Sequence, residues 1–392
     1  MNSTTHRSFI PFRLAFALLF SSVGVFYPYY VLYFKSIGIQ YSQLGLILAL
    51  QGIVAVLFSQ LWGYVSDMLI SKKMVLGIST IGCGAFFVGL YYGYLLWHFI
   101  ILIFLLTLFS TPRQHILNSI LFHQPGGRER FGFNRAYGSL GFIVMNIITG
   151  KCAAALGLTV IFPLYLFVSL LFLIVLVYLP EDRNCHTERK PWGFWKVQYE
   201  LLKDRRILLL LLVVFFNQCA HCVATIYLSF IINDLDGNEA MVGLFFSYAA
   251  LLEIPTFFIL DRLIASVGEI RLIAIAILSQ ALRWLLTYYA DSLNDFFIIQ
   301  SLHCLTFGVF YLATASYMNR KSPPELRASA QTLLGMVYFG IAVIVGQSVG
   351  GFIAQIKGLR ELYLFILVFV AIAFLFWIKL AVASSKPTET GK

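Results

Sequence analysis

Apolar runs of lipid length alternate with short polar breaks along almost the whole chain. A run of about 20 apolar residues crosses a bilayer core as a helix. Lipid offers the backbone no hydrogen-bond partner, so a crossing segment must be a helix or a strand of a closed barrel. Barrel strands are about ten residues long and alternate in polarity; these runs are longer and continuous. The pattern predicts an all-α integral membrane protein with twelve transmembrane helices. They fall over about 11–34, 42–66, 74–94, 97–122, 132–155, 160–179, 207–232, 240–260, 271–290, 296–318, 328–355 and 360–382.

One stretch departs from the pattern. Pro180 to Arg206 is the only long charged run, and it separates two halves of six spans each. The prediction is an N-terminal six-helix bundle over 1–179, a cytoplasmic linker over 180–206, and a C-terminal six-helix bundle with a short tail over 207–392. The halves repeat one another in order. Asp67 and the pair Lys72 and Lys73 follow span two, as Asp261 and Arg262 follow span eight. Arg130 precedes Gly138 as Arg327 precedes Gly335. Such order points to a duplicated bundle, and two matched bundles on a linker are the layout of an alternating-access transporter.

Composition agrees with a lipid solvent. Hydrophobic residues make up 60% and charged residues 12%, about half the charge of an average soluble domain. The net charge of +10 could suggest nucleic acid. Placing the N-terminus inside explains it better: 21 basic residues then fall on inner segments and 4 on outer loops. That is the positive-inside bias, and it puts both termini in the cytoplasm of a bacterial inner-membrane protein. No basic stripe sits on a soluble module, so nucleic acid is not an expected partner.

Resemblance sharpens the picture. Gly63 and Asp67 followed by Lys72 and Lys73 resemble the loop signature of the major facilitator superfamily, with Ser71 where that signature often has glycine. In that family the carboxylate and the basic pair latch a cytoplasmic gate. The run from Phe131 to Phe142, Arg283 with Trp284, the run from His303 to Gly308 and the run from Pro324 to Gln331 resemble the lactose permease, phenylpropionate permease and nucleoside proton symporter group. The resemblance implies the major facilitator fold, proton-coupled symport of sugars, nucleosides or aromatic acids, and a cavity lined by spans one, four, seven and ten. Two departures matter. His115 stands where lactose permease has an acidic partner for the arginine that Arg135 matches, and Thr306 stands where it has a carboxylate. Sugar transport by that mechanism is not expected.

The charges inside spans are few. Glu253 is the one acidic residue well inside a predicted span. An ionisable group there costs about 2.5–3.5 kcal/mol on insertion scales and must face protein or water. That position suits a proton-coupling group; a packing partner is the bland alternative. Arg283 and His303 fall at similar depth and are expected to pair, with Glu253 nearer the inner end of its span. Arg135 and His115 lie at comparable depth on neighbouring spans, and Arg113 lines the cavity or snorkels. Tyr27 and Tyr30 in span one, Asn217 and His221 one turn apart in span seven, and Gln51 in span two add aromatic and polar edges. Such a lining suits a small polar or amphipathic solute, an aromatic carboxylate among the candidates.

The sequence argues against an enzyme. No GxxxxGK[ST] loop, nucleophile elbow or paired carboxylates are present, and no catalytic residue or cofactor is assigned. Cys219, His221 and Cys222 do not share one helix face, so no metal site is assigned either. The partners expected are a small-molecule substrate, protons and the bilayer, with the chain a monomer. A proton-driven drug or metabolite exporter is the alternative within the class, and a membrane-embedded transferase a remote one.

Overall fold

Prolines and polar residues decide where the helices stop and bend in the computed structural model, which describes residues 9–66, 70–127, 129–180 and 194–385. Helix α1 (Ile10–Phe26) ends ahead of Pro28, and α2 (Tyr30–Ser36) resumes the same crossing. Proline lacks the N–H that would continue the ladder. Next come α3 (Tyr41–Tyr64), α4 (Lys72–Gly89), α5 (Leu96–Phe122), α6 (Phe131–Leu156) and α7 (Ile161–Val177). Ser71 starts α4 by accepting from the Met74 N–H at 3.2 Å, a serine N-cap.

Beyond the linker run α8 (Phe194–Lys203), α9 (Arg205–Asp234), α10 (Glu239–Val267) and α11 (Glu269–Tyr289). They are followed by α12 (Leu293–Gln300), α13 (His303–Lys321), α14 (Arg327–Met336), α15 (Ala342–Lys357) and α16 (Leu359–Ser385). Among the described residues no strand occurs. Eleven stretches there are long and apolar enough to cross a membrane; α10, at 29 residues, has the length for a crossing as well.

Three details depart from the pattern reading. Span ten, expected as one helix over 296–318, is two, with a turn at Ser301 and Leu302. Span eleven, expected over 328–355, passes through a π-helical turn at Val337–Ile341. The charged linker holds a helix, α8, whose Gln198 donates to the Ser329 carbonyl at 3.3 Å.

The chain divides into two compact units, residues 1–188 with 228–251, and residues 189–227 with 252–392. The core of the first joins Phe12, Phe16 and Leu19 of α1 to Leu76 of α4, Leu117 of α5 and Phe172 of α7. Helices α1 and α6 approach until a β-carbon on Gly141 would lie 2.1 Å from the Ala17 carbonyl oxygen, the small-residue packing that lipid-embedded helices favour. The hairpin 228–251 is fixed to the same unit by hydroxyl–carbonyl bonds. Ser229 Oγ donates to Pro28 O at 3.0 Å, and Ser247 Oγ to Ile143 O at 3.1 Å. Nearby, Tyr29 donates to Asn146 O at 2.7 Å. In the second unit Trp284, Tyr227 and Tyr363 are fully buried, and Tyr363 donates to Ala224 O at 2.8 Å. Large apolar side chains such as Leu57, Ile81 and Leu170 stand exposed, as lipid-facing positions should.

Candidate functional site

The second unit gathers its polar groups around one arginine. Arg283 on α11 is fully buried, so its guanidinium must be satisfied by protein. The turn between α12 and α13 supplies the acceptors. Gln300, at the end of α12, takes a hydrogen bond from Nη2 through its Oε1. His303, at the start of α13, places Nδ1 2.7 Å from Nη1, and Thr306 Oγ1 lies 3.4 Å from the same nitrogen.

His303 also faces Glu253. Its Nε2 lies 2.9 Å from Glu253 Oε1. Arginine carries only donors, so Nδ1 must be the accepting nitrogen. The neutral ring then carries its hydrogen on Nε2, the nitrogen beside the carboxylate, in a charge contact that is not an aligned hydrogen bond. The imidazole is thus the middle member of a chain running from guanidinium to carboxylate. The Arg283 guanidinium also lies 4.3 Å from the Trp284 ring centre. Glu253 sits two residues before Pro255, inside α10.

His221 on α9 stacks toward His303 with ring centres 6.4 Å apart, and toward Phe307 at 5.2 Å. One turn earlier on α9, Asn217 and Gln280 are joined twice: Nδ2 to Oε1 at 3.5 Å, and Gln280 Nε2 to the Asn217 carbonyl at 3.0 Å. Glu253, His303, Arg283, His221 and Asn217 therefore belong to one polar group of the second unit.

The first unit holds the other predicted residues, and they do not form one cluster. Arg113 is buried on α5, with Nη2 3.3 Å from the Tyr165 hydroxyl of α7. It lines a cavity of about 180 Å³ together with Ser22, Tyr27, Gln51 and Ser110. Gln51 donates to the Tyr30 hydroxyl at 3.4 Å. Tyr30 stacks on Phe26 with ring centres 4.0 Å apart, and Tyr27 meets Phe246 edge-on. Arg135 places its guanidinium 3.6 Å from the Phe20 ring centre, while His115 stands exposed on α5. A larger cavity, about 220 Å³, opens at Tyr92, Trp97 and His98 beside the α4–α5 turn and holds none of these groups.

A family model described as the MFS_1 like family matches residues 10–365. The chain belongs to this family. Among curated relatives, the maltose permease of Geobacillus stearothermophilus is 26% identical over 90% of each chain. The protein named probable 3-phenylpropionic acid transporter of Escherichia coli (strain K12) is 25% identical, covering 88% of this chain and 91% of that one. The nucleoside transporter NupG has the same fold, with a TM-score of 0.84 at 16% identity over 99% of this chain and 100% of that one. The chain is a multi-pass membrane transporter of the major facilitator type and not an enzyme.

In this MFS_1 like chain the predicted gate residues fall at the α3–α4 turn. Gly63 lies in the last turn of α3, and Asp67 lies outside the described residues. Lys72 places Nζ 3.1 Å from His123 Nδ1, and Lys73 donates to the carbonyls of Val177 and Leu179 at 2.7 and 3.0 Å. Those carbonyls close α7, where a cation complements the helix dipole. Two residues around the arginines were missed by sequence reasoning. Gln300 was visible as an amide inside a predicted span. Tyr165 was visible as a phenol in the most apolar run of the chain.

Proposed function

We propose that this transporter is a proton-coupled symporter of a small polar or amphipathic solute, with Glu253 as the protonation site. The chain from Glu253 through His303 to Arg283 supports the reading. Protonating Glu253 removes the charge that draws the Nε2–H of His303. The imidazole is then free to turn or to take up a proton itself, and either change removes the acceptor at Nδ1 from Arg283. A proton arriving at one carboxylate thereby alters the bonding of a buried cation two groups away. Bundles over 1–179 and 207–392 would alternate around a midplane site, with both termini cytoplasmic. Relatives and neighbours with this fold are named for a disaccharide, an aromatic acid and a nucleoside. The substrate class must therefore come from site chemistry rather than from the fold.

The test is Glu253→Gln in proteoliposomes. The variant should lose accumulation driven by an imposed pH gradient while keeping counterflow exchange. Uphill uptake at the wild-type rate would remove Glu253 from the coupling role. Solute leaving as protons enter would favour the exporter.

A further inference from the structure

Arg113 is a buried cation that the protein satisfies only in part. The side chain is 6% exposed. Its hydrogen-bond partner among the described residues is the neutral Tyr165 hydroxyl, and its Nε–H finds no acceptor. Arg283, fully buried, also has an Nε–H without an acceptor, but Gln300, His303 and Thr306 surround its terminal nitrogens and Glu253 lies one group further on. No carboxylate of the described residues pairs with Arg113. A buried guanidinium without a counter-charge is costly, and this one lines an open volume.

That volume has a definite character. Its polar lining is Arg113 and Tyr165, with Ser22, Gln51 and Ser110. Its apolar and aromatic lining includes Phe26, Tyr27 and Leu106. A carboxylate accepts from guanidinium in a bidentate fork. An aromatic or short aliphatic body fits the apolar wall. Size narrows the class further. A cavity of about 150 Å³ takes a benzene ring. The 180 Å³ here has room for one ring with its carboxylate.

We infer that the Arg113–Tyr165 cavity of the first unit is a binding site for a small organic monocarboxylate with a single ring or an equivalent apolar body. The inference rests on the transport reading for its biological sense, because it names the solute that the transporter would carry. Arg113 and Tyr165 supply donors to the carboxylate, and Phe26 and Tyr27 cover the ring.

The experiment measures binding to the purified full-length protein in detergent, at fixed pH and without a gradient, so it does not depend on coupling. Benzoate is the probe, with benzamide, maltose and sodium chloride as controls. Benzoate should raise the unfolding midpoint in a saturable way, and the three controls should not. Arg113→Gln should weaken benzoate binding at least tenfold. Arg113→Lys should recover part of it, because the charge returns without the fork. Ser110→Leu fills the cavity while leaving the arginine, and should abolish binding. It carries the test if Arg113→Gln fails to fold. Benzoate affinity within twofold of wild type in either Arg113→Gln or Ser110→Leu would overturn the site. So would benzamide or chloride binding as well as benzoate. Failure of the Glu253→Gln uptake experiment would count against coupling alone.

Discussion

The relay through His303 predicts a measurable energetic coupling between two residues that do not touch. Glu253 Oε1 lies 2.9 Å from one ring nitrogen and Arg283 Nη1 lies 2.7 Å from the other. With the imidazole between them the opposite charges sit about 8 Å apart, worth about 2 kcal/mol at an effective dielectric near 20. Glu253→Gln removes the charge at nearly constant side-chain size. Arg283→Gln removes the guanidinium and with it the bonds to Gln300, His303 and Thr306. Each single variant leaves the other group's charge buried and less compensated, which costs up to about 3–5 kcal/mol. The value for Glu253 should fall below that range, since its side chain is 17% exposed. In the double variant neither charge remains, so its destabilisation should fall short of the sum of the singles by about 2 kcal/mol. Equilibrium unfolding in mixed micelles, followed by tryptophan fluorescence, reads all three. Singles that add to within about 0.5 kcal/mol, as independent sites do, would refute the relay.

Two further outcomes follow from other parts of the fold. A β-carbon on Gly243 would meet both the Asn146 carbonyl oxygen and the Tyr29 hydroxyl at 2.5 Å. Gly243→Leu should therefore cost about 1–3 kcal/mol of overpacking and lower the thermal midpoint; an unchanged midpoint would contradict that packing. Arg320 holds Glu269 by two bonds, at 3.0 and 3.2 Å, but is 51% exposed. Arg320→Gln should cost about 1 kcal/mol or less, shrinking in 1 M salt, and a larger loss insensitive to salt would mean a different role.

How much of this was legible beforehand follows from what each feature depends on. The spans depended on run length, which lipid makes decisive, so their number and order could be read directly. The turn at Ser301 and Leu302 did not depend on run length. It carries no proline or glycine, and it serves a guanidinium that only the tertiary fold brings near. Arg283 and His303 could be paired by depth along their helices. Depth says nothing of rotation about a helix axis, so the position of His303 between Arg283 and Glu253 could not be read. The partners of the span-one aromatics lay beyond sequence reading: Tyr27 meets Phe246 edge-on and Tyr30 stacks on Phe26. The linker helix α8 is masked in the sequence by its charges, although Leu201 within it is buried.

The two buried arginines separate two duties that a coupled transporter must perform. Holding a proton needs a group whose charge changes and a fixed charge that responds. Arg283 meets that need with partners of the protein's own: Gln300 and Thr306 keep it in place while His303 carries the variable contact. Holding an anionic solute needs the reverse, a cation whose coordination the protein leaves incomplete. Full satisfaction of Arg113 by a carboxylate of its own would stabilise the empty protein and make any ligand displace that group. Its one neutral phenol partner leaves the rest of that coordination to the solute. Binding should then be visible as stability, by about 2.7 kcal/mol at a hundredfold excess over Kd. In Arg113→Gln that gain should disappear while the bonds around Arg283 stay intact, so the two duties can be removed one at a time.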